Sequence, residues 1–323
     1  MLLLASLFLV QCHACVGKIP LQDNPDDILQ EISNGTHFKS NEKENSAFTG
    51  RDLTSGETSL LPTASIVVPG LGRDVLSHRV DTFLNSVSLQ TLLPREVVLM
   101  FSDIPDELCA SQTASARFLL PLSVTVIINC SRSKLNQADA RNLGASLAGG
   151  DLVIFSDADD PMHFERVETI ARIFHHNQNL KVFAHSFTRS RSLLSTSLMQ
   201  WIDFAEPLSS HSVNHRPTGK NVSIMWGDSL QNEAARRNFD CRKRCWFVNG
   251  MVPGASTTRR SVMALIPFPC NSVLRRSDGG CFSEDTLWLR ALLRTFRGKD
   301  EALYVDLPLI FYIPNGRRAA VEP

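Results

Sequence analysis

Five short apolar runs alternate along the chain with segments whose apolar residues recur at helical spacing. The runs are almost unbroken by charged residues, which is typical of strands that are covered on both faces of a sheet. Strands that alternate with helices form βαβ units, and these units build a parallel sheet. The pattern therefore predicts an α/β fold with a mainly parallel central sheet flanked by helices. The predicted strands are Ala64–Gly70, Glu96–Phe101, Ser123–Asn129, Leu152–Phe155 and Lys181–Phe187.

Two later segments carry the clearest helix signals. Pro161 suits the first position of a helix, where a missing N–H is tolerated, so we expect a helix from Pro161 to about His176 with His163 on its surface. Large apolar residues recur every fourth position in Ser283–Phe296, which predicts an amphipathic helix.

The second half of the chain is less regular than the first, and no regular element is predicted directly after Asp106 and Glu107. The remaining predictions are helices at Ser77–Gln90, Ala138–Ala148 and Leu193–Leu208, a short strand feeding a helix within Ser256–Ala264, and closing strands at Ala302–Val305 and Leu309–Ile313.

The first residues predict a targeting segment. An apolar run from Leu2 to Val10 is followed by the small residues Ala14 and Gly17, which is typical of a secretory signal peptide. The run is shorter than the ~20 apolar residues of a membrane-spanning helix. We therefore expect a signal peptide or short signal-anchor at residues 1–17, with membrane contact only if it is retained. Residues 18–61 are polar and are predicted to form a linker, 62–316 the folded domain, and 317–323 a tail.

The balance of charges bears on partners. Lys and Arg together number 33 and Asp and Glu also number 33, so the formal net charge is zero. A general nucleic-acid binder is usually basic, and we expect no nucleic-acid partner.

Cysteines and glycosylation sequons extend the prediction of a secretory route. Of the eight cysteines, Cys12 and Cys15 lie in the predicted targeting segment, which leaves an even number that could pair in an oxidising compartment. The pairing stays open, although Cys241 and Cys245 are close enough to bridge. We expect the lumen of the endoplasmic reticulum or Golgi, or secretion. Sequons for N-glycosylation stand at Asn34, Asn129 and Asn221.

Three carboxylates crowd into the four residues that begin two positions after the strand Leu152–Phe155. They are Asp157, Asp159 and Asp160. Clustered carboxylates repel one another unless a cation joins them, and Mg²⁺ and Mn²⁺ prefer such oxygen ligands. Ligands of open α/β sheets bind beyond the carboxyl ends of the strands, where Asp103 also stands. The alternative is an acidic loop that caps the next helix, and we assign Asp160 to that helix start.

Three blocks of sequence resemble the family 2 glycosyltransferases, an inverting group with the Rossmann-like GT-A fold. Ser65–Arg73 resembles the opening strand of that family, Ala140–Asp160 its Arg-Asn-x-Gly helix and DxD-type motif, and Ser283–Leu292 its Glu-Asp helix. The blocks occur in the family's order, and the resemblance covers about residues 62–316. It implies a sugar transferred from a nucleotide-sugar, expected to be a UDP-sugar, to a hydroxyl of a glycan, protein or lipid acceptor.

The same resemblance implies donor-side roles for individual residues. Asp103 would contact the base or ribose, and Pro69 with the loop after it would lie along the nucleotide. Arg141 and Asn142 would frame the sugar-nucleotide pocket. Asp157 would contact the ribose or the metal ion.

The remaining implied roles concern the metal and the acceptor. Asp159 would ligate Mn²⁺ or Mg²⁺ together with Asp157. Asp285 would be the general base that deprotonates the acceptor hydroxyl, with Glu284 beside it, because an inverting displacement needs one base on the acceptor side.

Two departures from the family pattern keep other functions open. The second strand ends in a single Asp103 rather than a run of Asp, and Pro314 with Asn315 stand where many members carry a His. One alternative is therefore a sugar- or nucleotide-binding protein without turnover on a degenerate transferase scaffold. A second is a haloacid-dehalogenase-like phosphatase with Asp157 as its nucleophile.

Overall fold

The computed structural model describes residues 60–77, 79–188, 224–226, 253–269, 284–296, 298 and 300–311 of the chain. The strands are β1 Ala64–Leu71, β2 Glu96–Ser102, β3 Thr125–Ser131, β4 Leu152–Phe155, β5 Val182–Thr188, β6 Ile224–Trp226, β7 Ser256–Arg259 and β8 Ala302–Phe311. The helices are α1 Gly72–Leu76, α2 Arg79–Ser88, α3 Asp106–Leu119, α4 Gln137–Leu147, α5 Arg166–His176, α6 Arg260–Leu265 and α7 Glu284–Thr295.

The strands form one sheet in the order β3-β2-β1-β4-β7-β5-β8-β6. Strands β3, β2, β1 and β4 are parallel neighbours, and β5 is parallel to β8. Only β7 and β6 run antiparallel to their neighbours within the described sheet. The predicted α/β fold with a mainly parallel central sheet is therefore confirmed.

The central strands are buried on both faces, which explains their unbroken apolar runs. Every residue of β2 and β4 is buried. Helices α2 and α5 cover a core on one face that includes Phe83 and Ile170, while α4, α6 and α7 cover a core on the other face that includes Trp288. Burial of Trp288, Leu292 and Phe296 confirms the predicted amphipathic helix.

A two-glycine turn between α4 and β4 holds β4, the strand that precedes the acidic residues, in register. The backbone N–H of Gly150 donates to Ser65 Oγ at 2.8 Å, and that of Gly149 donates to the buried Glu96 carboxylate, which also accepts from Ser65 Oγ at 2.6 Å. A Cβ at position 150 would lie 2.7 Å from Ser65 Oγ and 2.8 Å from Ser65 N. Only glycine fits there, so the turn brings β4 directly against β1.

Helix α3 is an element that the sequence reasoning missed. It begins directly after Pro105, with Asp106 and Glu107 in its first turn, where acidic groups interact favourably with the helix dipole. Only Gln112 and Ala116 are buried along its length. The helix therefore lacks the apolar stripe from which helices are predicted, and part of its attachment is a disulfide to β3.

The prediction that a helix starts at Pro161 is wrong, because α5 begins at Arg166. Residues 161–165 instead run along β8: Met162 forms a bridge with Ile310, and the N–H of His163 donates to the carbonyl of Leu309. His163 is completely buried rather than on a helix surface.

The start of α5 is set by a distant side chain that local sequence does not reveal. Gln90 Oε1 accepts from the N–H of Val167 at 3.0 Å, while Gln90 Nε2 donates to the carbonyl of His163 at 2.8 Å. Asp160 is buried five residues before the helix cap Glu165. Its assignment to the helix start is therefore also wrong.

Smaller differences concern the ends of elements. The two predicted closing strands are one strand, β8, with register irregularities opposite His185–Phe187 of β5. The predicted helix Ser77–Gln90 is α2, and the short helix α1 precedes it. No helix among the described residues is long and apolar enough to cross a membrane. The predicted targeting segment, the helix Leu193–Leu208, Cys241, Cys245 and the tail lie outside the described residues.

Candidate active site

The two acidic positions singled out from the sequence meet at one edge of the sheet. Strand β1 lies between β2 and β4, with Leu71 opposite Ser102 and Val67 opposite Phe155. Because these strands are parallel, their carboxyl ends share an edge. Asp103 directly follows β2, and Asp157 follows β4 by two residues.

Asp157 is held by a buried arginine. Arg141 Nη2 donates to Asp157 Oδ1 at 3.0 Å, and the side chain of Arg141 is only 2% exposed whereas that of Asp157 is 30% exposed. The other oxygen, Oδ2, faces the turn Pro253–Ala255, where a Cβ on Gly254 would approach it to 2.9 Å. Asp157 is thus oriented by the protein while part of its carboxylate stays accessible.

Asp159 sits among like charges. Burial is the main cause that raises the pKa of Asp159, and the negative charges of Asp157 and Asp74 raise it further. Arg79 Nη1 donates to Asp159 Oδ2 at 3.1 Å and opposes this effect. The ionised form of Asp159 is therefore disfavoured in this site and would be stabilised by an added cation.

The donor set fits a divalent cation only in part. No group of three or more His, Cys, Asp or Glu side chains that could hold a metal ion occurs among the described residues. Asp157 and Asp159 supply carboxylate oxygens of the type that Mg²⁺ and Mn²⁺ prefer. Since Mg²⁺ commonly binds through one or two carboxylates together with phosphate oxygens, these two residues suit a cation whose other ligands come from a phosphorylated substrate and water.

Asp103 borders an open cleft of about 650 Å³ between α1 and α3. Its φ of 57° lies in the left-handed region, which is uncommon for a residue with a side chain and is found at functional sites. Gly72 leaves room for this conformation, because a Cβ there would lie 2.3 Å from the carbonyl oxygen of Asp103. The other lining residues are Arg73, Leu76, Pro105, Glu107, Leu108 and Ser111.

Pro69 lies inside β1 rather than in a loop. It is buried and stands opposite Met100 of β2. Pairing between β1 and β4 ends at Val67, so the missing N–H of Pro69 falls beyond the end of that neighbour, where proline is tolerated. Its predicted place along the nucleotide stays a prediction, as Pro69 is not among the residues that line the cleft beside Asp103.

Asn142 binds the protein's own backbone. Its Nδ2 donates to the carbonyl of Phe268 at 2.9 Å, and its Oδ1 accepts from the N–H of the same residue at 2.8 Å. Arg141 lies beside Asp157, whereas Asn142 anchors the segment at Phe268. The pocket roles of both residues stay predictions.

Glu284 and Asp285 are the first two residues of α7. This is the helix-start position expected for them from the sequence. Their roles as general base and neighbour stay predictions.

Several residues that shape the site carry no sequence signal of their own. Arg166 is completely buried, and its guanidinium donates to the carbonyls of Phe155 and Gly254 at 2.8 and 2.6 Å and to Ser156 Oγ at 3.0 Å. It thereby ties the end of β4 to the turn that faces Asp157. Burial lowers the pKa of Arg166 to about 9, against the nearby charges of Asp157 and Asp160, so the group stays protonated at neutral pH.

His185 completes this buried support. Arg166 Nε donates to His185 Nε2 at 3.1 Å, so His185 Nδ1 carries the proton and donates to the carbonyl of Ser186 at 2.8 Å. Burial, and then the charge of Arg166, hold the pKa of His185 well below its ordinary value. Arg166 and His185 sit on different elements, and only the folded chain brings them together.

Comparison with known proteins places this sequence near several sugar-transferring enzymes. The sequence profile of Glycosyl transferase family 2 matches residues 65–231, just over half of the chain. Amylovoran biosynthesis glycosyltransferase AmsB of Erwinia amylovora is 30% identical over 104 residues, which are 32% of this chain and 33% of that protein. An uncharacterized glycosyltransferase of Haemophilus influenzae is 30% identical over 123 residues, 38% of this chain and 37% of the relative. The match thus spans about a third of the length of these curated relatives.

Solved structures show looser similarity. Mannosyltransferase PcManGT from Pyrobaculum calidifontis, in complex with GDP-Man and Mn²⁺, is 13% identical with a TM-score of 0.48, covering 90% of this chain and 65% of that one. S. aureus TarS 1-349 is 16% identical with a TM-score of 0.45, covering 76% of this chain and 60% of that one.

We predict that Asp159→Asn stabilises the metal-free protein at neutral pH. The folded-state pKa of Asp159 is raised, so its ionised carboxylate costs stability above that pKa, and the cost disappears below the unfolded-state pKa, where the group is protonated in both states. The unfolding free energy of Asp159→Asn, measured with urea in the presence of a chelator, should exceed that of the wild type at pH 7.5. The two values should converge in acid.

Asp151→Asn serves as the control of opposite sign. Asp151 accepts from the N–H and Oγ of Thr63, and the N–H bond is the main cause that lowers its pKa. Its contribution is present at neutral pH and is lost as the pH falls through the folded-state pKa, so Asp151→Asn should be less stable than the wild type at pH 7.5. A destabilised Asp159→Asn at that pH would contradict our account of the acidic cluster.

Proposed function

The chain belongs to glycosyltransferase family 2, and from this premise we propose that it transfers a sugar from a nucleotide-sugar donor to an acceptor hydroxyl, with inversion and with the help of a divalent cation. The observation that carries the proposal is the placement of the Asp103 cleft, Asp157 and Asp159 at the same edge of the sheet. A nucleotide has an uncharged, flat end and a charged diphosphate end. This edge offers an open cleft for the flat end, and for the diphosphate it offers oriented carboxylates that hold a cation.

The donor lies along the carboxyl ends of β2, β1 and β4 in this proposal. The nucleoside, which we take to be uridine, occupies the cleft beside Asp103, whose carboxylate accepts hydrogen bonds from the base or ribose. Asp157 and Asp159 hold Mn²⁺ or Mg²⁺, and the bound ion supplies charge that stabilises the departing diphosphate. Arg141 keeps Asp157 in place, because the guanidinium of Arg141 is buried and has no room to move with the carboxylate.

The acceptor side of the proposal rests on the start of α7. The acceptor oxygen attacks the anomeric carbon, the bond to the diphosphate oxygen breaks with its electron pair staying on the diphosphate, and the hydroxyl proton passes to Asp285. Asp285 stands in the first turn of α7, where the helix dipole favours negative charge, and in this proposal it acts as the base. A single direct displacement inverts the anomeric centre. The acceptor is a glycan, protein or lipid hydroxyl.

A second candidate function is nucleotide-sugar binding without turnover. Arg79 and Arg141 each pair with one of the two carboxylates and so supply part of the positive charge that a bound cation would otherwise bring. The single Asp after β2 favours the same alternative. Membership of family 2 leaves the phosphatase alternative without support.

The proposal predicts turnover of a nucleotide-sugar that depends on Asp159. Purified full-length protein is incubated with Mn²⁺ and a panel of nucleotide-sugars, and released nucleotide and transferred sugar are measured. Asp159→Ala should lower kcat/KM by about a hundredfold or more, because a metal ion contributes several kcal/mol to the barrier. Asp300→Ala is the matched control, as this exposed Asp pairs with Asn179 just before the amino ends of β5 and β8, away from the site. Equal activity of Asp159→Ala and the wild type would refute the metal assignment.

Asp285→Asn extends the same experiment to the acceptor side. The variant should lose transfer yet keep nucleotide binding, because an amide cannot accept the hydroxyl proton. Loss of binding instead would make Asp285 a structural residue. Nucleotide binding with no product from the wild type over long incubation would select the second candidate function.

We further propose that the protein folds in the lumen of the secretory pathway or is secreted. A disulfide between Cys109 of α3 and Cys130 of β3 supports this, because such bonds persist in oxidising compartments. The sequon residue Asn129 supports it as well. Asn129 is exposed on the edge strand β3, beside the helix α4 that packs on β1 and β2.

The secretory proposal predicts an N-linked glycan on Asn129. The full chain, carrying Asn34→Gln and Asn221→Gln so that a single sequon remains, is expressed in a eukaryotic secretory cell and treated with an N-glycosidase. A shift in electrophoretic mobility should occur and should vanish in Asn129→Gln and in Ser131→Ala. Asn85→Gln changes an exposed Asn outside any sequon and should keep the shift. A chain with no glycosidase-sensitive shift would contradict the glycan, and retention in the cytosol would contradict the compartment.

A further inference from the structure

An unbroken chain of contacts runs from Asp157 through the protein interior to helix α7. Arg141, the ion-pair partner of Asp157, has its Cζ 5.4 Å from the ring centroid of Phe268. The ring of Phe268 stacks on Trp288 of α7, with centroids 4.0 Å apart and planes 19° apart. The donor-side carboxylate and the helix that begins with Glu284 and Asp285 are therefore connected through one phenylalanine.

This connection is rigid because a third ring packs against both of the other two. Phe155, the last residue of β4, meets both Phe268 and Trp288 edge-on, at 5.2 and 5.4 Å. Edge-to-face and offset stacked arrangements are the geometries that aromatic pairs prefer. Each of these rings, and Arg141, is at most 1% exposed. In a close-packed interior, none of them can shift without moving the others.

The backbone on either side of the stack is also tied down. Asn142 forms both of its amide hydrogen bonds with the backbone of Phe268, which holds that residue to α4. Trp288 Nε1–H donates to the carbonyl of Ile266 at 2.9 Å, which holds α7 to the same segment. The segment 266–268 thus joins the helix that carries Arg141 to the helix that carries Trp288.

The first turn of α7 depends on this junction. Trp288 stands three residues after Asp285 and four after Glu284, so it lies close to one helical turn from both. A shift or rotation of Trp288 therefore moves the helix start relative to Asp157. The distance between donor and acceptor groups in a displacement reaction has to be held within fractions of an ångström, because a 1 Å error costs about a hundredfold in rate.

We propose that Phe268 is a positioning residue that sets the first turn of α7 against the donor-side carboxylate Asp157. The proposal rests on the function proposed above and adds a residue to it that contacts neither the donor nor the acceptor. Loss of the ring removes one contact of Arg141, which its ion pair with Asp157 still holds in place, and leaves the Asp103 cleft and Asp159 untouched. It removes the stacking partner of Trp288 and so displaces the acceptor-side helix. Transfer to the acceptor should fall, while donor binding and the slow hydrolysis of the donor by water should persist.

A matched control exists on the opposite face of the sheet. Phe174 is also completely buried and also lies under an arginine, with Arg259 Cζ 5.3 Å from its ring centroid. It belongs to the other core and has no contact with the Arg141 stack. Phe268→Leu and Phe174→Leu therefore make the same chemical change in comparable surroundings. Only Phe268→Leu should lower the rate of sugar transfer.

The test compares these two variants for thermal stability, donor KM, transfer kcat and the ratio of transfer to donor hydrolysis. Both should melt at similar, lowered temperatures. Phe268→Leu should lower transfer kcat and the transfer ratio by about 10–100-fold, with donor KM within about threefold of the wild type. Phe174→Leu should keep transfer kcat and the transfer ratio near wild-type values. Trp288→Phe, which keeps a ring but loses the bond to Ile266, should show an intermediate loss.

Three outcomes separate the explanations. An active wild type with a transfer ratio in Phe268→Leu equal to that in Phe174→Leu would overturn the positioning role and leave the transferase proposal standing. Loss of donor binding together with transfer in Phe268→Leu would also overturn it, because the ring would then act on the donor side. A wild type without turnover on any nucleotide-sugar would overturn the proposed function and the positioning role with it.

Discussion

The ion pair between Arg141 and Asp157 is the interaction on which the rest of this site depends. An arginine with a side chain 2% exposed must keep a charged partner, since an uncompensated buried charge strongly destabilises a fold. Asp157 is thereby bound to one position at the end of β4. Arg166 reinforces that position from beneath, and the glycine at position 254 leaves room for the turn that faces it. The partly exposed carboxylate is thus held from its buried side.

The same ion pair gives the acidic edge its chemical character. Asp157 directs negative charge toward Asp159, whose pKa is raised by burial and by this neighbour. The ionised form of Asp159 is therefore disfavoured in this cluster and would be stabilised by an added cation. Arg141 also contacts Phe268, whose ring stacks on Trp288. In our proposal this one side chain therefore orients the donor-side carboxylate and contributes to the placement of the acceptor-side helix.

The fold could be predicted from sequence where the signal was local. Unbroken apolar runs marked the buried strands, and the recurrence of Trp288, Leu292 and Phe296 at every fourth position marked α7. Helix α3 was missed because it buries little more than Gln112 and Ala116, and the start of α5 was misplaced because Gln90, far away in sequence, caps it. The acidic positions could be found because charge at a strand end is visible in sequence. The partners Arg79, Arg166 and Phe268 could not, since only folding brings them to the site.

Titration of the wild-type protein with UDP-sugars and GDP-sugars, with and without Mn²⁺, followed by thermal unfolding, tests the central claim most directly. A ligand that binds only the folded state raises the melting temperature, by an amount that grows with its concentration above Kd. Our account predicts a rise for at least one nucleotide-sugar that is larger with Mn²⁺ than without it and that is lost in Asp159→Ala. A wild-type protein whose melting temperature is unchanged by every nucleotide-sugar, with and without Mn²⁺, would contradict it.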